Sequence, residues 1–164
     1  MRRLHLLIFM GLLCTLAGHS PPANDYQKEN IIFIAKKQLF YQTVYDKEFT
    51  PELLRQALYF ERILSPEIVF NQAVHETGYF TSELFWVANN CFGMRYPGRR
   101  ETTAISEYKY HARYKHWIDS VRDLKLWQAY WHSKGYDLTD YIAFLIDVAY
   151  ATDKRYIELI TNIS

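Results

Sequence analysis

The sequence predicts a mainly helical α+β fold with one short β-hairpin, and three observations support this. Apolar residues recur at helical spacing over most of the chain. Two helices begin at Ser-Pro or Thr-Pro pairs, because a hydroxyl can cap free backbone N–H groups and Pro is preorganised at the first helical position. Residues 93–114 break this pattern with Gly, Pro and alternating polar and apolar residues.

The first 17 residues predict a secretory signal peptide. Arg2 and Arg3 precede a nearly continuous apolar run, and Thr15-Leu-Ala17 offers small residues for cleavage. The run is too short for a membrane-spanning helix. We therefore expect an exported protein, located in the periplasm, the cell envelope or the extracellular space, with no integral span in the mature chain. An uncleaved anchor is the alternative.

Residues 18–24 are expected to be irregular, and the helices to follow them. The helices are expected at about 26–41, 51–64, 66–77, 82–87, 117–134, 139–150 and 153–162, with the hairpin within 103–111. Thr50-Pro51 and Ser65-Pro66 open the second and third helices. Gly78 and Gly135 can supply the left-handed residues that end the third and fifth. No linker or repeat divides residues 18–164, which predicts a single domain.

Charge and cysteine content argue against a nucleic-acid-binding protein and against an internal disulfide. Loss of Arg2 and Arg3 with the signal peptide would leave 17 basic against 18 acidic residues. Near-neutrality argues against a nucleic-acid-binding protein, which carries a basic surplus. Cys91 would be the single remaining cysteine, so no internal disulfide is expected, and its apolar surroundings favour a buried packing role. We expect a monomer.

Aromatic residues are unusually frequent. Fourteen Tyr, ten Phe and four Trp make up 17% of the chain. Most are expected in the core, but surface Tyr and Trp lining a groove would suit a sugar polymer, whose ring faces pack on aromatic planes.

Glu76 is the candidate general acid. It falls in the last turn of the third helix, where the negative end of the helix dipole disfavours the carboxylate and raises the pKa; an ordinary surface acid is the alternative. A zinc-protease motif fails, because Tyr79 stands where a second His would be needed after His75, and neither metal nor cofactor is expected. Glycosidases commonly use a second carboxylate, for which Glu83, Glu101 and Glu107 are possible.

Four ordered motifs resemble the glucosaminidase domain of bacterial peptidoglycan hydrolases, a family described as mannosyl-glycoprotein endo-beta-N-acetylglucosaminidase-like. They are Asn71-Gln-Ala-Val-His-Glu-Thr-Gly78 with Asn89-Asn-Cys-Phe-Gly-Met94, then Thr103-Ala-Ile-Ser-Glu-Tyr108, then Arg113-Tyr114 with Trp117-Ile-Asp-Ser-Val121, and finally Tyr150-Ala-Thr-Asp153 with Tyr156. The sequence departs from the family pattern at His75, Thr77, Cys91 and Lys154. None of these positions is the acid.

The resemblance implies a lysozyme-like fold, with a cleft between a helical lobe and a small β-hairpin lobe. It also implies an endo-β-N-acetylglucosaminidase that acts on peptidoglycan glycan strands. By position, Glu76 would be the general acid, Glu107 the second carboxylate and Tyr150 a substrate-orienting residue. Asn90, Phe92 and Gly93 would shape the substrate-binding wall.

Other activities stay open from the sequence. A lytic transglycosylase or a muramidase could use the same fold and the same acid. A non-catalytic wall-binding or assembly module is the alternative from another class, although such a module need not keep Glu76.

Overall fold

The computed structural model describes residues 25–163, so the predicted signal peptide (1–17) and the segment 18–24 lie outside the described residues. Two compact units are distinguished, with their boundary between Gln38 and Leu39. The described part of the first unit, 25–38, is continuous helix. The second unit, from Leu39 onward, contains Glu76 and the cleft around it. The single domain over 18–164 stays a prediction.

Seven helices and one two-stranded sheet are found in residues 25–163. The helices are α1 (Asp25–Thr43), α2 (Pro51–Phe60), α3 (Pro66–Glu76), α4 (Glu83–Ala88), α5 (Trp117–Ser133), α6 (Tyr141–Asp147) and α7 (Tyr156–Thr161). A 3-10 turn (Val44–Asp46) follows α1, and strands β1 (Ser106–Tyr108) and β2 (His111–Arg113) lie between α4 and α5. This confirms the mainly helical α+β class and the order of elements. No helix in this part of the chain is long and apolar enough to cross a bilayer.

The structure confirms one of the two predicted helix caps, that of α2, and corrects the cap of α3 and the end of α2. The Thr50 side chain accepts from Leu53 N at 3.1 Å, as expected. The predicted cap at Ser65 is wrong: its φ is +51° and its side chain makes no capping bond, although α3 begins at Pro66. The predicted end of α2 at residue 64 is also wrong. Arg62 takes a left-handed φ of +50°, and Ile63 N bonds Leu58 O at 3.0 Å, which closes α2 early.

Helix α3 lies at the centre of the second unit. It packs against α2 and α7, and α2 packs against α5. Four of its apolar residues are buried: Val69, Phe70, Ala73 and Val74. The Asn71 side chain also donates to Ile160 O of α7 at 2.8 Å. Packing on two sides therefore fixes the position of the C-terminal end of α3, where Glu76 lies.

The hairpin lies a few residues later than predicted. Glu107 pairs with Ala112, and Tyr108 with His111. Lys109 and Tyr110 form the turn with φ values of +47° and +66°, the left-handed pair that a two-residue type I′ turn requires. Neither position is the Gly or Asn that usually marks such a turn, so the sequence did not predict where the turn lies.

A buried ion pair anchors the loop between residues 93 and 105. Arg100 donates to both oxygens of Asp123 on α5, at 2.8 and 2.9 Å. The Asp123 side chain is fully buried and that of Arg100 is 8% exposed. Tyr114 Oη and Thr103 N also donate to Asp123, at 2.8 and 3.3 Å. This network holds the loop against α5.

Candidate active site

An open cleft of about 790 Å³ runs past the end of α3, and Glu76 contributes to its lining. One wall is the loop after α4 together with the hairpin; the opposite wall is α5 and the segment after α6. The lining residues are Glu76, Phe92, Gly93, Met94, Arg95, Tyr96, Pro97, Gly98, Arg99, Arg100, His111, Trp127, Tyr130, Trp131, Val148, Ala149, Tyr150 and Thr152. Among these described residues Glu76 is the single carboxylate.

Glu76 is the last residue of α3, as the sequence predicted. Thr77 follows as the C-terminal cap and Gly78 takes a left-handed φ of +55°. This confirms the expected end of the helix. The Thr77 hydroxyl donates to Ala73 O at 2.6 Å and accepts from Phe80 N at 2.9 Å, so the turn after Glu76 is tied back onto α3.

A chain of two hydrogen bonds orients the Glu76 carboxyl. Tyr156 Oη, on α7, donates to Glu76 Oε1 at 2.9 Å. Gln72 Nε2, one turn earlier on α3, donates to the same Tyr156 oxygen at 3.1 Å. Because Gln72 and Tyr156 are both buried, Glu76 Oε1 is held by a rigid donor.

The second oxygen of Glu76 lies against Gly93. A β-carbon on Gly93 would come within 2.8 Å of Glu76 Oε2, closer than any real Cβ contact, and Gly93 also has a φ of +62°. A larger residue is therefore disfavoured there for two reasons, the backbone conformation and the displacement of the Glu76 carboxyl that a β-carbon would cause.

Burial raises the pKa of the Glu76 carboxyl above its ordinary value. The hydrogen bond from Tyr156 and the nearby His75 and His111 favour the charged form and oppose this shift, but desolvation is the larger effect. A raised pKa keeps the carboxyl protonated to higher pH than a surface glutamate.

Asn90 lies outside the cleft lining and holds the loop in shape. It is fully buried, and its Nδ2 donates to Met94 O and Ala112 O, both at 2.9 Å. Its Oδ1 accepts from Phe92 N at 3.2 Å and Met94 N at 3.1 Å. The loop is thereby fixed to β2. Of the three residues expected to shape the wall, Phe92 and Gly93 line the cleft and Asn90 supports them from behind.

Tyr150 reaches the cleft from the segment after α6. Its hydroxyl donates to Phe92 O at 2.9 Å, and its ring packs against Trp127 and Tyr156. The hydroxyl therefore joins the two walls of the cleft. A substrate-orienting role for Tyr150 stays a prediction.

Glu107 does not join this group. Its side chain is exposed on β1 and absent from the cleft lining. Glu107 pairs with Ala112, and side chains alternate along a strand, so it leaves the hairpin on the face opposite His111, which lines the cleft. Its role as second carboxylate stays a prediction. The other acids considered are also exposed: Glu83 pairs with Lys109 at 2.6 Å, and Glu101 lies on the loop.

Comparison with protein families identifies the chain. The model of the glucosaminidase family, described as mannosyl-glycoprotein endo-beta-N-acetylglucosaminidase, matches residues 54–164. The chain belongs to the glucosaminidase family. The match contains the whole cleft, from Glu76 to Thr152, and supports a glycoside hydrolase of the peptidoglycan glucosaminidase type. No curated protein and no solved structure gives a significant match.

Several residues of the candidate site were missed from the sequence. Tyr156 was seen only as part of a motif, and its bond to Glu76 joins residues 80 positions apart. Gln72 lies four residues before Glu76, on the same side of a helix, which was the available signal for it. His111, Trp127 and Trp131 carried no signal for the cleft beyond their residue type. Within residues 25–163, no cluster of three or more His, Cys, Asp or Glu side chains is arranged to hold a metal.

Proposed function

We propose that the protein is an exported endo-β-N-acetylglucosaminidase that cleaves the β-1,4 bond after N-acetylglucosamine in peptidoglycan, with Glu76 as general acid. Family membership supports a hydrolase of this type. The observation that carries the role of Glu76 is a partly buried carboxyl with a raised pKa at the wall of an open cleft. A carboxyl that stays protonated can donate its proton to the glycosidic oxygen as the bond breaks.

The two oxygens of Glu76 have different tasks in this proposal. Oε1 accepts the Tyr156 hydrogen bond, so Oε2, beside Gly93, carries the proton that is transferred. Trp127 and Trp131 on the opposite wall supply apolar surface for sugar rings.

The second step follows one of two routes. In the first, Glu107 activates water; in the second, the acetamido group of the substrate attacks intramolecularly and no protein nucleophile is needed. The position of Glu107 on the far face of the hairpin favours the second route, which we adopt. Glu107→Gln should then keep most of its activity. A crippled Glu107→Gln variant that azide partly rescues would instead make Glu107 the base.

Mass spectrometry of digested sacculi tests the bond that is cleaved. The proposal expects products with a reducing N-acetylglucosamine end. A reducing muramic acid end would make the protein a muramidase, an anhydro end a lytic transglycosylase, and no product would favour the binding module.

Glu76→Gln tests the acid in the same assay. The swap is nearly isosteric but removes the acidic proton, so activity should fall by roughly 100- to 10,000-fold while the fold is kept. Glu67→Gln, at an exposed site on the same helix, is the matched control and should keep wild-type activity. More than half of the wild-type turnover in Glu76→Gln would exclude Glu76 as the acid.

A further inference from the structure

We propose that Arg95 and Arg99 form a cationic rim that binds a carboxylate carried by the glycan in the cleft. This inference rests on the proposed function, since it concerns recognition of the substrate by the same cleft. The rim adds a preference for glycans with acidic substituents over neutral glycans.

Positive charge is concentrated at the cleft of a protein that has almost none overall. The whole chain has 19 basic and 18 acidic residues, yet the cleft lining holds three arginines and one carboxylate. That carboxylate, Glu76, is neutral when it carries its proton. The lining is therefore electropositive.

The three arginines are not equivalent. Arg100 is neutralised by the buried Asp123, to which it donates two hydrogen bonds. Arg95 and Arg99 are exposed, and within residues 25–163 neither side chain forms a hydrogen bond or an ion pair. Both residues line the cleft, so two unpaired guanidinium groups are available to a ligand there.

The rim is held in place at both ends. On one side, Asn90 bonds both the N–H and the carbonyl of Met94. On the other, Arg100 is fixed to Asp123. Residues 95–99 lie between these two anchors. Arg95 lies two residues after Gly93, so its Cα is within about 7 Å of the glycine that contacts Glu76. The backbone that carries the rim therefore starts beside the candidate acid.

Carboxylate is the ligand chemistry that this rim fits. A guanidinium presents a planar set of donors that matches a carboxylate with two parallel hydrogen bonds. In peptidoglycan, carboxylates occur on the peptide attached to the muramic acid, and on its lactyl group once that peptide is removed. Oligomers of N-acetylglucosamine have none.

Equilibrium binding in the Glu76→Gln protein tests the rim without catalysis. The ligands are peptide-bearing glycan fragments, the same fragments stripped by an amidase, and an N-acetylglucosamine oligomer of equal length. The dissociation constant is measured by calorimetry before and after adding Arg95→Gln and Arg99→Gln together. Arg113→Gln, an exposed arginine on β2 outside the cleft lining, is the matched control.

The double substitution should weaken binding of peptide-bearing fragments about tenfold, as expected for two exposed ion pairs. Binding of the neutral oligomer and the effect of Arg113→Gln should be unchanged. If stripped fragments show the same loss, the rim accepts the lactyl carboxylate as well as the peptide carboxylates; if they do not, it recognises the peptide carboxylates alone. An equal loss of affinity for the neutral oligomer, or no loss of affinity for any ligand, would refute the proposed binding of carboxylates by the rim.

The proposed function can fail separately. A wild-type protein that binds peptide-bearing fragments through the rim but releases no reducing N-acetylglucosamine end would refute the glucosaminidase activity and keep the inference. A wild-type protein that cleaves sacculi, with the rim substitutions changing no dissociation constant, would do the reverse.

Discussion

Glu76 Oε2 lies 2.8 Å from the position that a β-carbon on Gly93 would occupy. The carboxyl is thereby confined between the Tyr156 hydroxyl on one side and a backbone without a side chain on the other. Two segments far apart in the sequence thus fix the position of one carboxyl.

Gly93→Ala should reduce both activity and stability. The methyl group would displace Glu76 Oε2, and a shift of about 1 Å at a reacting group can cost on the order of 100-fold in rate. The positive φ adds a strain of about 1–2 kcal/mol. Turnover on sacculi and urea unfolding measure the two effects.

Gly135→Ala is the control for Gly93→Ala, because it introduces backbone strain without a steric contact. Gly135 has a φ of +89°, but an added Cβ there would meet no atom within 4 Å. This variant should lose stability and keep its turnover. Wild-type turnover in Gly93→Ala as well would show that Glu76 tolerates displacement, or that it is not the acid.

Tyr156→Phe should shift the pH–rate profile. The Tyr156 hydrogen bond lowers the pKa of Glu76 against the effect of burial, so its loss raises that pKa further. A general acid is active while protonated, and activity is lost as pH rises through its pKa. The basic limb of kcat/KM should therefore move to higher pH, with a lower maximum because the carboxyl is less well oriented.

Tyr150→Phe is the control for Tyr156→Phe in the pH–rate measurement. Its hydroxyl bonds Phe92 O and not Glu76, so its loss should cost about 1 kcal/mol of stability and leave the position of the basic limb unchanged. A lowered turnover with an unchanged melting temperature would instead place the Tyr150 hydroxyl on the sugar. If neither variant moves the limb, Tyr156 does not tune the acid.

The local features of the fold were the ones that could be predicted. Thr50-Pro51, Gly78 and Gly135 mark helix ends by the chemistry of single residues, and the structure agrees. The errors fall where ordinary side chains adopt left-handed backbone, at Arg62, Ser65 and the Lys109-Tyr110 turn. Tertiary packing imposes these conformations, and the residue types at these positions do not predict them.

The candidate site shows the same division. Glu76 could be proposed from its place at a helix end and from family motifs. Its contacts with Tyr156 and Gly93 join α3 to α7 and to the loop after α4, and a sequence without distances cannot show which distant residues meet. The location of Glu107 on the face of the hairpin opposite His111 depends likewise on a strand pairing that the sequence does not reveal.

Asp123→Asn should destabilise the protein strongly. It leaves the nearly buried Arg100 guanidinium without its counter-charge, and breaking a buried pair typically costs about 3–5 kcal/mol. Glu67→Gln removes the exposed pair with Arg55 and should cost at most about 1 kcal/mol. Urea unfolding measures both. Equal, small losses would mean that the loop before Arg100 is not held by this pair.

Glu76→Gln should make the protein more stable than wild type at neutral pH. Burial raises the pKa of Glu76 in the folded state above its ordinary value of 4.5, so the folded state holds this proton more tightly than the unfolded chain. The contribution of Glu76 to stability is therefore fully present below the unfolded pKa and is lost as pH rises through the folded pKa. Glutamine does not ionise, so the Glu76→Gln variant loses no stability from this position over that pH range.

The difference in unfolding free energy between Glu76→Gln and wild type should accordingly be smallest in acid, grow as the pH rises above 4.5, and level off once Glu76 is ionised. Urea unfolding at a series of pH values measures it. Glu67→Gln, on the exposed side of the same helix, should cost no more than about 1 kcal/mol relative to wild type at any of these pH values. A Glu76→Gln difference that is constant with pH would mean that the carboxyl has the same proton affinity in both states, and the physical basis for its role as an acid would be lost.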